Sequence, residues 1–255
     1  MIRVLIWNEH LGQEEEAVRA VHPEGIHRTI EGFLKDDPAL DVRTATLADP
    51  DCGLTEEILA ETDVLIWWGH RYHREVPDAV AARVADAVHR GMGFLPLHSS
   101  HMAKPFIRLM GTSCTLKWRD GDHERLWTLL PGHPIAEGIP ECIELDCEEM
   151  YGERFDIPTP DELLFLGWFS GGEIFRSGCV WTRGLGKVFY FQPGHETDPS
   201  YHNAHIQRII TNAVHFLAPA VRAASLHCPH IAVSYEEQRR QRMAGETGID
   251  RNRSE

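Results

Sequence analysis

The sequence lacks the features of a membrane protein and of a small disulfide-bonded one. No run reaches the roughly 18 consecutive apolar residues that a membrane helix needs. The apolar run after Arg3 is too short for the hydrophobic segment of a signal peptide. The six cysteines include no C-x-x-C pair and no regular spacing, so we expect free thiols. These absences predict a cytoplasmic protein that makes no membrane contact.

Basic charge and nucleotide-binding motifs are also scarce. With 25 Lys and Arg against 39 Asp and Glu, the formal net charge is -14. Such a surface would repel the phosphates of a nucleic acid or of an anionic membrane. The first predicted strand is followed by Asn8, Glu9 and His10 rather than by G-x-G-x-x-G, so NAD is not expected as a cofactor.

What the sequence does contain is an alternation of short apolar runs with amphipathic stretches. This pattern is typical of an α/β fold with a mainly parallel sheet and helices on both faces. The predicted strands cover residues 3–7, 41–46, 64–68, 93–97, 143–145, 163–168, 179–182 and 186–191, and the predicted helices cover 22–34, 56–60, 77–90, 103–110 and 203–217. Short links between the later strands indicate an antiparallel extension of the sheet, and residues 118–140 are predicted to be rich in loops.

The composition also divides the chain into two parts. Residues 1–218 are interpreted as one α/β domain, a length within the usual range. After Pro219 the composition turns polar, so we predict that residues 219–255 form a C-terminal extension. This extension is either disordered or in contact with a neighbouring subunit. The second alternative implies a homo-oligomer.

Histidines follow the central strands. The chain has sixteen, and His10, His70, His98 and His195 each come directly after a predicted strand. Ligands of open α/β sheets bind beyond the carboxyl ends of the strands, so we expect these four side chains at one edge of the sheet. A single histidine in such a place is commonly a loop residue bonded to the backbone, and for His10 alone that interpretation is the simpler one.

His98 is the most informative of the four because it stands where a strand turns sharply into the next helix. In nucleophile-elbow folds that place presents the reactive side chain. With His195 and a carboxylate of residues 146–149, taken as Glu149, it would supply the three ligands of a catalytic zinc site, which keeps a further position open. His70, His101 and His10 are possible substitutes for these ligands or partners behind them. A divalent metal, zinc, is therefore the predicted cofactor. The alternative is a cluster of neutral histidines that hydrogen-bond a sugar.

Two familiar chemistries fit the sequence poorly. A Cys-His amidotransferase needs a thiolate at the elbow, where this chain has His98, and Cys114 lies too far along the chain. A serine hydrolase would be suggested by Ser99 and Ser100 beside two histidines, but no G-x-S-x-G pattern surrounds them.

Four longer motifs connect the chain to a known family. They are GMGFLPLHSSHMAK at 91–104, LMGTSCTLKWR at 109–119, EEMYGERF at 148–155 and PGHETDPSYHN at 193–203. With these motifs the chain resembles the ThuA-like family of trehalose utilisation over roughly residues 1–218. The resemblance implies a three-layer, flavodoxin-like fold of the class I glutamine amidotransferase type whose elbow cysteine has been replaced. It also implies a role in disaccharide catabolism, beside a sugar oxidoreductase of the Gfo/Idh/MocA type.

Two main functions are compatible with these observations. In the first, the protein is a metal-assisted enzyme that acts on a disaccharide or keto-sugar, and glutamine hydrolysis is not expected because His98 replaces the nucleophile. Besides the metal ligands, we predict acid–base roles for His101, His70 and Glu148, and substrate binding by Lys104, Arg119, Tyr151 and His10. In the second, the same pocket belongs to a non-catalytic sugar-binding or regulatory subunit. A purely structural partner of an oxidoreductase is a third alternative.

Overall fold

One mixed sheet forms the centre of the chain. The computed structural model describes residues 1–10, 15–228 and 230–249. The strands in these ranges are β1 (Ile2–Asn8), β2 (Leu40–Thr46), β3 (Val64–Trp68), β4 (Gly93–Leu97), β5 (Lys117–Thr128), β6 (Cys142–Gly152), β7 (Glu162–Phe169), β8 (Ile174–Arg183) and β9 (Gly186–Phe191). Within the described part of the chain these nine strands pair in the order β2-β1-β3-β4-β9-β8-β7-β5-β6.

The first five strands in this order are parallel. If β9 is counted as the fifth parallel strand, their order is 2-1-3-4-5, as in flavodoxin-like folds. All five residues of β3 are buried, as expected for a central parallel strand that is covered on both faces. The strands β8, β7, β5 and β6 extend the sheet by antiparallel pairing. The predicted α/β class, with a mainly parallel sheet and an antiparallel extension, is confirmed.

Helices cover both faces of the sheet. In the described ranges of the sheet domain they are α1 (Glu16–Val21), α2 (Ile26–Leu34), α3 (Glu56–Glu61), α4 (Asp78–His89), α5 (Lys104–Met110) and α6 (Ala204–Leu217). A further helix, α7 (Tyr235–Ile249), lies outside this domain. The apolar sides of α2 and α6 pack in one core cluster, with Ile30 and Ile210 fully buried. Those of α4 and α5 pack in the other, with Val84 and Phe106 fully buried. The result is a three-layer arrangement.

Three local predictions differ from the structure. Residues 118–128 are not loop, because β5 occupies Lys117–Thr128, whereas 129–140 contain only turns and a short 3-10 helix. The first half of this strand is exposed, and it pairs with a partner about thirty residues away, so it has little local hydrophobic periodicity. The strand predicted over 143–145 is longer: β6 covers Cys142–Gly152 and so includes most of the acidic stretch 147–153. The predicted helix over 22–34 begins only at Ile26, after Gly25 with a φ of 98°.

The chain divides into two compact units, residues 1–224 and residues 225–255. The first unit continues beyond residue 218 because Arg222 donates hydrogen bonds to the carbonyls of Leu59 and Thr62. In addition, the amide of Ala223 donates to the carbonyl of Arg90 at 2.9 Å. The second unit contains α7. Among the described residues, no helix is both long and apolar enough to cross a membrane.

Candidate functional site

A cavity of about 820 Å³ opens beside the carboxyl ends of β3, β4 and β9. Three segments that follow strands contribute histidines to it: His70 comes after β3, His101 after β4 and His195 after β9. Strand β6 forms another wall. The cavity is lined by Glu15, His70, Arg71, His73, Ser99, His101, Met102, Thr115, Leu116, Trp118, Asp120, Gly121, Cys147, Glu149, Tyr151, His195, Glu196, Thr197 and Asp198.

Three of these residues form a group that could hold a metal ion. One potential ligand atom each of His70, Glu149 and His195 lies within 4.8 Å of the other two. Two imidazole nitrogens and one carboxylate oxygen are a donor set found at catalytic zinc sites. We refer to His70, Glu149 and His195 as the metal-capable group.

Glu196 orients His70 from behind. The Nδ1 atom of His70 lies 2.7 Å from Oε1 of Glu196, so it donates to the carboxylate, and Nε2 is left for a ligand. The guanidinium of Arg71 also contacts Oε1 of Glu196, at 3.0 Å. Burial raises the pKa of Glu196, but the hydrogen bond and the electrostatic interaction with His70 outweigh burial and lower the pKa well below the ordinary value. A carboxylate behind a ligating histidine is a common feature of metal sites.

His98 lies beside the metal-capable group. Its ring centroid is 6.0 Å from that of His70 and 5.3 Å from that of His195, with the planes near perpendicular. Its Nδ1 donates to the carbonyl of Gln192 at 3.0 Å, and its Nε2 lies 3.0 Å from Oε2 of Glu149. Burial lowers the pKa of His98, but the interaction with Glu149 raises it by more, so the net shift is upward. The structure thus brings the predicted ligands His98, Glu149 and His195 together, with His70 in the place we assigned to His98.

The backbone holds His98 in an uncommon conformation. Its φ is 51°, in the left-handed region that non-glycine residues rarely adopt. The hydroxyl of Tyr190 donates to the carbonyl of His98 at 2.9 Å. The His98 ring is fully buried and nearly parallel to the rings of Trp68 and Tyr151. Such a conformation persists only where the surroundings enforce it, and it is common at functional sites.

Alternation along β6 separates its two adjacent glutamates. Cys147, Glu149 and Tyr151 all line the cavity, as residues two apart on one face of a strand should. The phenol of Tyr151 donates to Oγ of Ser99 at 3.2 Å, and burial raises its pKa well above the ordinary value. Tyr151 is therefore a neutral hydrogen-bond donor in the wall of the cavity.

Glu148, for which we predicted an acid–base role, is not among the residues that line the cavity. Its carboxylate accepts hydrogen bonds from the amides of Gly194 at 2.8 Å and His195 at 3.1 Å, and from Oγ of Ser200 at 2.6 Å. These bonds occupy both oxygen atoms. Glu148 thus fixes the loop that carries His195.

Glu9, which we did not predict, holds the loop that carries His70 in the same way. This buried carboxylate accepts hydrogen bonds from the amides of His70 at 2.8 Å, Arg71 at 3.0 Å and Tyr72 at 3.1 Å. The sequence signal was available, because Glu9 directly follows β1 at the same sheet edge. Each loop that carries a histidine of the metal-capable group is therefore held by a buried glutamate.

Two further histidines line the cavity. Nδ1 of His101 donates to the carbonyl of Cys114 at 2.8 Å, so only Nε2 is available to exchange a proton with a ligand. Burial lowers the pKa of His101 to about 4. His73, which we did not predict, has a buried Nε2 without a hydrogen-bond partner among the described residues. Burial lowers its pKa to about 3. Both rings are neutral at physiological pH.

Comparison with known proteins assigns the chain to a family. The sequence model of the ThuA family, described as trehalose utilisation, matches residues 3–217. The chain belongs to the ThuA family. Comparison with curated protein sequences gave no match.

Solved structures share the fold of this ThuA-family chain. A ThuA-like protein from Parabacteroides merdae is 14% identical with a TM-score of 0.65, and the match covers 88% of this chain and 92% of that one. A cytoplasmic protein from Salmonella typhimurium is 14% identical with a TM-score of 0.58, covering 86% and 100%. A β-galactosidase from Rahnella sp. R3 is 12% identical with a TM-score of 0.52, covering 86% of this chain but 32% of that one.

Three residues that we predicted to bind substrate in this ThuA-family chain lie outside the cavity lining. Nζ of Lys104 donates to the carbonyl of Val76 at 2.7 Å. Arg119 forms an ion pair with Glu173 at 2.8 Å on the protein surface. His10 lines a separate, much smaller pocket. Of the four predicted substrate-binding residues, the structure places Tyr151 in the cavity.

Proposed function

We propose that this ThuA-family protein is a metal-dependent enzyme of carbohydrate catabolism that acts on a sugar or keto-sugar. The observation that carries the proposal is the metal-capable group, whose three ligand atoms lie within 4.8 Å of one another. The donor set of two histidines and one carboxylate suits zinc and leaves a position open for substrate or water. The family's association with trehalose utilisation supports the substrate class.

The surroundings of Glu149 fit a cation. Its Oε2 atom is buried, and its ion-pair neighbour is Nε2 of His98 at 3.0 Å. A buried carboxylate is unfavourable unless it is paired with positive charge, and a bound cation would supply such charge beside the two neutral ligand nitrogens. Glu196 behind His70 fixes the ring orientation that ligation through Nε2 requires.

The residues around the metal-capable group suggest separate chemical roles in a reaction. A divalent ion bound there would polarise a substrate carbonyl or activate a water molecule. The neutral ring of His101 would take up or release a proton at Nε2, because its Nδ1 is bound to the Cys114 carbonyl. The neutral phenol of Tyr151 would donate a hydrogen bond to a substrate oxygen. Lys104, Arg119 and Glu148 have no part in this scheme.

The proposal is tested by metal analysis and product analysis of the purified full chain. We expect about one zinc ion per chain by mass spectrometry, as a single three-ligand site implies. Incubation with trehalose and with its 3-keto derivative, followed by NMR, should reveal a product with at least one of them. Stoichiometric metal with tight sugar binding but no product would favour the non-catalytic sugar-binding subunit. A native protein without metal would refute the proposal.

We also propose a cytoplasmic homo-oligomer in which the second unit contacts another copy of the chain. Large apolar side chains of this unit are exposed, among them Ile231, Tyr235 and Met243 at 57–72% exposure. Exposed apolar side chains of this size are commonly covered in an interface. An oxidoreductase of the Gfo/Idh/MocA type stays a predicted partner.

A further inference from the structure

We infer that the cavity binds a sugar of two rings, with one ring at the metal-capable group and the other against Trp118 and Asp120. This inference rests on the proposed function and adds to it a second subsite, with named residues, that would select disaccharides over single sugars. Nothing in the metal-capable group itself requires this second subsite.

The sheet register places the second subsite next to the first. Trp118 of β5 pairs directly with Tyr151 of β6, so the two side chains share one face of the sheet with Cβ atoms about 5 Å apart. Glu149 lies two residues before Tyr151 on the same strand, about 7 Å further along that face. Glu149, Tyr151 and Trp118 therefore form a series from the metal-capable group to the mouth of the cavity, and all three line it.

Trp118 is an exposed aromatic ring at the rim of a polar cavity. Its exposed fraction is 62%, and the described residues provide no ring stacked on it and no cation over it. The other exposed tryptophan, Trp168, has the guanidinium of Arg125 over its ring at 5.9 Å and lies outside the cavity lining. An exposed indole is suited to the C–H face of a pyranose, since such a ring is apolar on its faces and polar at its edge.

Asp120 supplies the polar contacts that a sugar ring also needs. It lies two residues after Trp118, lines the same cavity and is exposed. A carboxylate accepts hydrogen bonds from two neighbouring hydroxyls. Met102, 37% exposed, adds an apolar surface to the cavity lining. The cavity volume of about 820 Å³ is near the upper end of the usual range for ligand pockets, which leaves room beyond one ring.

The test compares a two-ring and a one-ring ligand with the same reacting group. Titration calorimetry of the full chain with 3-keto-trehalose and with 3-keto-glucose measures both affinities for wild type, Trp118→Ala and Asp120→Asn. Trp168→Ala is the matched control, an exposed tryptophan outside the cavity. Trp118 is exposed, so its removal should leave folding intact, and thermal unfolding of each variant verifies this.

We expect Trp118→Ala to weaken binding of the two-ring ligand by about tenfold, the scale of one aromatic contact. Asp120→Asn should weaken it by about threefold. Binding of the one-ring ligand and the metal content should stay as in wild type, and Trp168→Ala should change nothing. Equal losses for both ligands, or no loss for either, would overturn the second subsite while leaving the proposed function intact. If neither ligand bound to metal-loaded wild type, the sugar assignment and the second subsite would both be wrong.

Discussion

The carboxylates of Glu9 and Glu148 hold the two loops that carry His70 and His195. Glu9 accepts three backbone amides of residues 70–72, and Glu148 accepts the amides of Gly194 and His195. Hydrogen bonds to a charged group contribute about 1.5–3 kcal/mol each. The two histidines are thus positioned by carboxylates that do not line the cavity.

The first prediction concerns Glu9. Glu9→Gln keeps the shape of the side chain but turns an amide NH₂ toward backbone donors, so we expect a loss of stability of about 2 kcal/mol. Because the loop of His70 would lose its orientation, zinc affinity should fall by about 10- to 100-fold. Chelator competition measures the affinity and urea unfolding the stability. The control is Glu24→Gln at an exposed position. Lower stability with unchanged zinc affinity would show that Glu9 does not position His70.

The second prediction separates a metal ligand from its neighbour. His70→Ala removes a donor of the metal-capable group, so the purified variant should contain little zinc. His98→Ala should retain stoichiometric but weaker binding, because His98 contacts Glu149 and helps to orient it. Metal analysis by mass spectrometry measures both, with the exposed His205→Ala as control. Loss of zinc in His98→Ala with retention in His70→Ala would reverse the assignment.

The third prediction follows from His27, a buried residue of α2 whose pKa burial lowers from 6.5 to about 4. The imidazole of His27 binds a proton more tightly in the unfolded chain than in the folded one. The stability that neutral His27 contributes is therefore fully present above the unfolded pKa of 6.5, and it is lost as the pH falls toward 4. At about pH 5 the loss is roughly 2 kcal/mol. Urea unfolding at about pH 5 and pH 7.5 should therefore show a smaller pH dependence in His27→Gln than in wild type. His205→Gln should behave like wild type, and an equal pH dependence in His27→Gln would contradict the shift.

The fourth prediction concerns the turn before His195. Gly194 has a φ of 126°, and a Cβ atom there would lie 2.1 Å from the hydroxyl of Tyr201. Gly194→Ala should therefore lower the free energy of unfolding by about 2 kcal/mol or more and weaken metal binding. At Gly132 an added Cβ meets nothing within 4 Å, so Gly132→Ala is the control. Equal stabilities of the two variants would argue against a strained turn.

The fifth prediction tests assembly. A chain ended after Ala224 keeps the contacts of Arg222 and Ala223 with the first unit and removes the second unit. We expect it to form a smaller particle than the full chain by light scattering, since the exposed apolar side chains of the second unit are proposed to contact another copy. An unchanged number of subunits would refute that role.

The central part of the fold could be predicted from local pattern alone. The apolar run of β3 and the amphipathic spacing of α4 are strong signals, and the rule that ligands bind at strand ends brought His70, His98 and His195 to one edge. In contrast, β5 was missed because its exposed first half derives its structure from pairing with β6. Such pairing depends on residues distant in sequence, so no local periodicity reports it.

The details of the site depended on contacts that a sequence does not contain. His70 completes the metal-capable group, whereas Nε2 of His98 lies 3.0 Å from Oε2 of Glu149 as its ion-pair neighbour. Lys104 was expected at the substrate, but the Val76 carbonyl lies within its reach. Glu148 and Glu149 were both predicted to act in the site. The strand conformation of β6 places them on opposite faces of the sheet, so Glu149 lines the cavity and Glu148 does not.

The alternation of side chains along β6 restricts insertions and deletions in this strand. Because side chains reverse sides at every residue of a strand, loss or gain of one codon between Cys142 and Glu148 would shift both glutamates together. Glu149 would then face away from the cavity, and the residue beside it would enter in its place. A substitution in this stretch leaves the alternation unchanged, whereas a change of its length by one residue would move the carboxylate of Glu149 out of the cavity.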